Sequence, residues 1–171
     1  HADPLYENDT LTEQGHLQAK ALAERLASGI VQRVPTHLYS SPLGRARDTA
    51  RYTEELLGKK AEIEEWTREL SNWGRLSATD LKQGGRPGEG GIALWDTSAE
   101  YLRNFEPSLS RETEWTEFPN LQVVQDQYKE LCAKSDAFLA RHGYVREGGT
   151  YRVVRKSEDQ IAVFCHAGFG L

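Results

Sequence analysis

Apolar positions in the first part of the chain recur at helical spacing. Ala19, Leu22, Ala23 and Leu26 share one face of a helix that Thr10-Leu-Thr-Glu13 opens as a capping box and Gly29 closes. The short run His37 to Ser40 reads as a strand, after which Ser41-Pro42 opens a second helix to about Leu57, striped by Leu43, Ala46, Ala50 and Leu57 and stopped by Gly58. Residues 61 to 66 read as a further strand. From residue 68 to about 119 the pattern weakens. Five glycines between Gly84 and Gly91 and tryptophans at 73, 95 and 115 mark a long lid-like insertion, placed at about 70–120, with a short helix near 98–105. Val124, Tyr128, Leu131, Ser135, Phe138 and His142 then trace the inner face of a long helix over about 121–141.

The run Ile161 to Cys165 is continuous, apolar and partly β-branched, which reads as a strand buried on both faces. With Tyr151 to Val154 and the polar turn Lys156 to Asp159 it reads as an antiparallel pair. Strands alternating with amphipathic helices predict an α/β three-layer sandwich: a mostly parallel sheet with helices on both faces and one antiparallel edge strand. At 171 residues with 38% hydrophobic composition the expectation is a single domain over 1–171. The abrupt start at His1 and stop at Leu171 suggest a chain truncated at both ends.

Charge removes some functions. With 21 basic against 26 acidic residues the net charge is -5, the wrong sign for neutralising a polynucleotide, so no nucleic-acid partner is expected. No run reaches the roughly 18 apolar residues of a membrane helix, so no membrane partner is expected either. Cys132 and Cys165 have neither disulfide nor metal spacing, which points to a reducing, cytoplasmic location.

In open α/β sheets ligands bind at the carboxyl ends of the strands. Arg45, Glu69 and His166 each follow one predicted strand, so one rim of one sheet gathers all three; His1 joins them if a strand precedes it. Such a set suits phosphoryl transfer. Imidazole is a nucleophile near neutral pH, guanidinium pairs bidentately with phosphate oxygens, and a carboxyl group can protonate a departing alkoxide.

Four segments resemble the histidine phosphatase superfamily, also called the phosphoglycerate mutase-like family. His1-Ala-Asp-Pro4 resembles its R-H-G or R-H-A-x-P signature without the arginine, and Leu11-Thr-Glu13 with Gly15 and Gln18-Ala19 resembles L-T-x-x-G-x-x-Q-A. Tyr39 to Ala46 with Thr49-Ala50 resembles Y-S-S-x-L-x-R-A-x-x-T-A, the most specific of the four, and His166-Ala-Gly168 resembles the closing H-G-G.

The resemblance implies that His1 becomes the phosphohistidine, Arg45 clamps the phosphoryl group, His166 bonds it and stabilises its charge, and Glu69 is the proton donor. Asn8, Ser41, Ala167 and Gly168 would line the substrate pocket. It implies a metal-independent phosphomonoesterase without cofactor, acting on a small phosphorylated metabolite, with self-association into a homodimer left open. A phosphoglycerate mutase-type phosphotransferase, or a binding module that has lost activity, are the alternatives.

Other motifs carry less. Arg141-His142-Gly143 spells R-H-G but ends a helix, where it serves structure. His16 and His37 read as surface or loop residues. His1 and Asp3 complete no metal cluster, and the glycines at 84–91 lack the lysine of a nucleotide loop. Cys165 to Leu171 echoes the cysteine-x5-arginine loop of thiol phosphatases, with leucine where the cation belongs.

Overall fold

The computed structural model describes residues 10–30, 32–69 and 122–169, with side chains in the last stretch described from residue 126. The chain divides into two compact units, residues 1–69 with 136–171, and residues 70–135. The expected insertion at 70–120 and its short helix lie outside the described residues.

Helix α1 (Glu13–Ser28) is capped by Thr12, whose hydroxyl accepts from the Gly15 amide at 3.1 Å. Such a cap contributes about 1 kcal/mol. The expected capping box therefore shifts by two residues: Thr10 donates instead to Asp48 Oδ2 at 2.6 Å, on the next helix. Gly15, Ala19, Ala23 and Leu26 form the buried stripe, and Gly29 ends the helix at φ 65°. Strand β1 (His37–Ser40) leads into helix α2 (Gly44–Leu57), which buries Ala46, Ala50 and Thr53 and ends at Gly58, φ 62°. Small residues on the facing stripes of α1 and α2 let the two helices approach closely.

The predicted strand over 61–66 is reduced to β2 (Glu62–Ile63), followed by a 3-10 turn at Glu65–Thr67. Glu64 closes that turn. Its carbonyl accepts from the amide and the hydroxyl of Thr67, and its carboxylate takes Trp66 Nε1 at 2.6 Å and the Arg141 guanidinium. Helix α3 (Gln122–Arg141) runs where the periodicity places it, and a hairpin of β3 (Tyr144–Glu147) and β4 (Thr150–Val153) follows before β5 (Ile161–Phe164).

Two expectations about these strands are corrected. β5 does not pair with residues 151–154; it lies parallel to β1 in a three-stranded sheet of order β2-β1-β5, while β4 pairs antiparallel with β3 in a separate ribbon. Gly148, at φ 58°, supplies the hairpin turn that captures β4 locally. Nor is β5 buried on both faces: Phe164 is buried, but Val163 is 39% exposed. Among the described residues β5 is an edge of the sheet, and its exposed side borders a cleft.

Alternation along β1 divides the core into two layers. Leu38 packs with Leu26, Ala50 and Phe164 on the α1/α2 side. Tyr39 points the other way, its ring 4.9 Å from that of Phe138 in an edge-on contact. Helices thus cover both faces of a parallel sheet, giving a mixed α/β fold. Among the described residues no helix is long and apolar enough to cross a membrane.

Candidate active site

The carboxyl ends of β1 and β5 place two residues side by side. Beyond β1 the Ser41 amide donates to the Phe164 carbonyl at 2.8 Å, so the sheet ladder runs one residue past the end of β1. Ser41 is fully buried, its hydroxyl accepts from the Leu43 amide at 3.3 Å, and it meets Nε2 of His166 at 2.8 Å. His166, itself buried, therefore has one ring nitrogen tied to the start of the turn that launches α2.

That turn delivers Arg45 as the second residue of α2, counted from the Leu43 cap. The position lies in the first helical turn, where backbone N–H groups and the helix dipole favour an anion. A guanidinium NH2 of Arg45 sits 3.8 Å from Glu69 Oε2. The separation makes an ion pair rather than a hydrogen bond, and a pair of this kind at a partly exposed site contributes at most about 1 kcal/mol. A doubly charged phosphate, which offers the fork two acceptors, competes well against it.

Glu69 is held on its other oxygen: Oε1 accepts the Phe169 amide at 3.2 Å. Phe169 is in turn packed against Trp66, rings 5.4 Å apart, and Trp66 lies 5.7 Å from Phe138. The 3-10 turn and the end of α3 thus brace the loop after β5, and that loop positions the carboxylate. This support was not visible from the chain order, because 100 residues separate Phe169 from Glu69.

Arg45, Glu69, His166 and Ala167 line one open cleft of about 600 Å³, together with Leu11, Leu22, Thr49, Val163 and Cys165. Of the expected site residues, the structure brings Arg45, Glu69, His166 and Ala167 to this cleft. Ser41 lies beneath it, and Gly168 is buried in the turn behind. His1 and Asn8 lie outside the described residues. Thr49 belongs to the quoted T-A segment, whereas Leu22, read as core, is 40% exposed and forms part of the cleft wall.

Cys165 also faces the cleft. Burial pushes its thiol pKa up, only partly opposed by a backbone hydrogen bond from His166, and the nearby Glu69 charge pushes it the same way. A thiol held protonated is a poor nucleophile. A second concavity of about 530 Å³ lies along α2, lined by Arg47, Asp48, Arg51, Glu54 and Lys60 among others. Lys60 pairs there with Glu54 at 3.1 Å and Asp48 accepts from Thr10, and no histidine is among its lining residues.

Of the other histidines, His16 is half-buried in α1 rather than at the surface, with Nδ1 3.1 Å from Tyr52 Oη, and His37 begins β1 with its side chain 40% exposed, a surface residue as expected. The R-H-G triplet ends α3, as its position suggests: Arg141 is the last helical residue and Gly143 adopts φ 92°.

Residues 7–87 match the family model of the Histidine phosphatase superfamily (branch 1). Two solved structures align with 94% of this chain at 19% identity. They are "Mycobacterial hydrolase 1", with TM-score 0.48, and a mycobacterial glucosyl-3-phosphoglycerate phosphatase in complex with VO3, with TM-score 0.46. This chain spans 64% of the length of each. No curated protein matches the sequence.

Proposed function

We propose, from the match of residues 7–87 to the histidine phosphatase superfamily model, that this chain is a phosphomonoesterase working through a phosphohistidine on a small phosphorylated metabolite. The observation that carries the reading is the convergence of Arg45, Glu69 and His166 on one cleft at the carboxyl ends of β1 and β5.

In this reading His1 attacks phosphorus and the phosphorus–oxygen bond to the leaving group breaks. Glu69, in its protonated form, gives that oxygen a proton. In the second half water attacks the phosphohistidine, Glu69 takes the proton from water, and inorganic phosphate leaves with His1 restored. Arg45 pairs with the phosphoryl oxygens in both halves. His166, held at Nε2 by Ser41, lends its ring to the charge on the transferring group. Fixed charge aimed at the transferring group supplies most of the rate in such a mechanism, and no metal is needed for it.

Ser41 is then a positioning residue for His166, and Phe169 positions Glu69 through its amide. Two free cysteines accord with a reducing compartment, and we place the reaction in the cytoplasm.

The test is steady-state hydrolysis of p-nitrophenyl phosphate with vanadate as inhibitor. Arg45→Ala and His166→Ala each lower kcat/KM by about 10²- to 10³-fold, and vanadate competes with substrate for the wild type. Wild-type rates in either variant would refute the assignment.

A further inference from the structure

At the amino ends of the strands, away from the cleft, a second group of polar side chains converges. His37 begins β1, His142 follows the last residue of α3, and Asp159 lies two residues before β5. One candidate ligand atom from each lies within 4.8 Å of the others. Both imidazoles turn Nδ1 toward the same carboxylate but toward different oxygens: His142 Nδ1 is 3.4 Å from Oδ2, and His37 Nδ1 is 3.8 Å from Oδ1. His37 Nδ1 also lies 2.9 Å from the exposed Thr36 hydroxyl, a contact that a metal ion would replace.

We propose that His37, His142 and Asp159 form a binding site for a divalent transition-metal ion of the zinc and cobalt class, joining α3 to the amino end of the sheet.

Zinc–nitrogen and zinc–oxygen bonds of about 2.0–2.1 Å put tetrahedral ligand atoms about 3.3 Å apart. The two nitrogen–oxygen separations, 3.4 and 3.8 Å, are close to that value, and the three ligand atoms, which lie within 4.8 Å of one another, draw together as exposed His37 adjusts its rotamer. Two imidazoles with one carboxylate select a borderline ion over magnesium or calcium, which prefer oxygen. The ion enters as the histidines' Nδ1 protons leave to solvent.

The ring opposite the metal position is already oriented. His142 Nε2 lies 3.0 Å from the hydroxyl of buried Tyr39, an outer partner of the kind that fixes a ligating imidazole's tautomer. With Nδ1 on the metal, Nε2–H donates to that oxygen. His142 is only 5% exposed, whereas the His37 side chain is 40% exposed and Asp159 26%, so the ion has an entry path on their side and room for a water as fourth ligand. From His37 to Ser40 the strand rises about 10 Å, so this ion would not touch the phosphoryl cleft. Its role is to staple three segments separated in sequence.

Titration of the protein with Co(II) in phosphate-free buffer tests the site. The expected result is a single equivalent bound with the visible bands of low-coordinate Co(II), displaced by Zn(II). His37→Gln and Asp159→Asn should each weaken binding by about 100-fold with far-UV circular dichroism unchanged. His37, the most exposed ligand, carries the test should the Asp159 variant fail to fold. Absence of Co(II) binding, or binding of undiminished strength in His37→Gln, overturns the proposal.

Discussion

Oγ of Ser41 lies 2.8 Å from Nε2 of His166, joining the end of β1 to the loop after β5 through two buried side chains. This link spans 125 residues of chain and fixes the plane of the imidazole before any substrate arrives. Orientation of this kind contributes through another group rather than by touching phosphorus.

Ser41→Ala should therefore lower kcat while leaving KM nearly unchanged. A buried hydrogen bond contributes about 1 kcal/mol, so roughly a 5- to 10-fold loss is expected. Steady-state kinetics on an aryl phosphate check it; a loss confined to KM would instead place Ser41 against the substrate.

Glu69→Gln should discriminate between leaving groups. A p-nitrophenolate departs without help, whereas an alkyl alkoxide needs a proton. The variant should lose about 10²- to 10³-fold on an alkyl phosphate and distinctly less on p-nitrophenyl phosphate. Equal losses on both substrates would show that Glu69 acts on charge or binding instead.

Cys165→Ser should retain turnover to within about twofold, because the half-buried thiol has its pKa raised by its surroundings. Iodoacetamide should accordingly label Cys165 slowly and without a matching burst of inactivation. Complete loss of activity in the serine variant would support a thiol mechanism.

The turn after α3 makes a stability prediction. Gly143 adopts φ 92°, and a Cβ there would stand 2.4 Å from the Arg155 carbonyl oxygen. Gly143→Ala should destabilise the fold by about 2–3 kcal/mol, measured as a fall in the urea midpoint. A midpoint equal to wild type would show that the hairpin shifts freely to make room.

Much of this arrangement was legible in local sequence. A strand running into a turn and then an amphipathic helix put Arg45 in the first turn of α2, and an apolar run ending at His166 put that ring at a strand tip. Gly29 and Gly58 announced the ends of both early helices, because positive φ there favours glycine. What escaped was long-range pairing. Tyr151 to Val154 and Ile161 to Phe164 are both strands, but which partner each takes depends on Gly148 turning β3 back onto β4 and on the depth of β1 in the sheet. The gathering of His37, His142 and Asp159 escaped likewise, since His37 and His142 are 105 positions apart and neither carries a ligand spacing in its own segment. Thr10 and Thr12 fit nearly the same capping pattern, and only the reach to Asp48 separates their roles.

The central claim is a covalent phosphoryl-histidine at His1, formed in the cleft of Arg45, Glu69 and His166. It is tested most directly by mixing the protein with a phosphomonoester, quenching within the turnover time in alkali, which preserves phosphohistidine, and mapping the adduct by mass spectrometry. The account predicts one phosphoryl group on the peptide containing His1, labile in acid, and absent from His1→Ala, which no longer turns over. Full turnover by His1→Ala with no histidine adduct would contradict it.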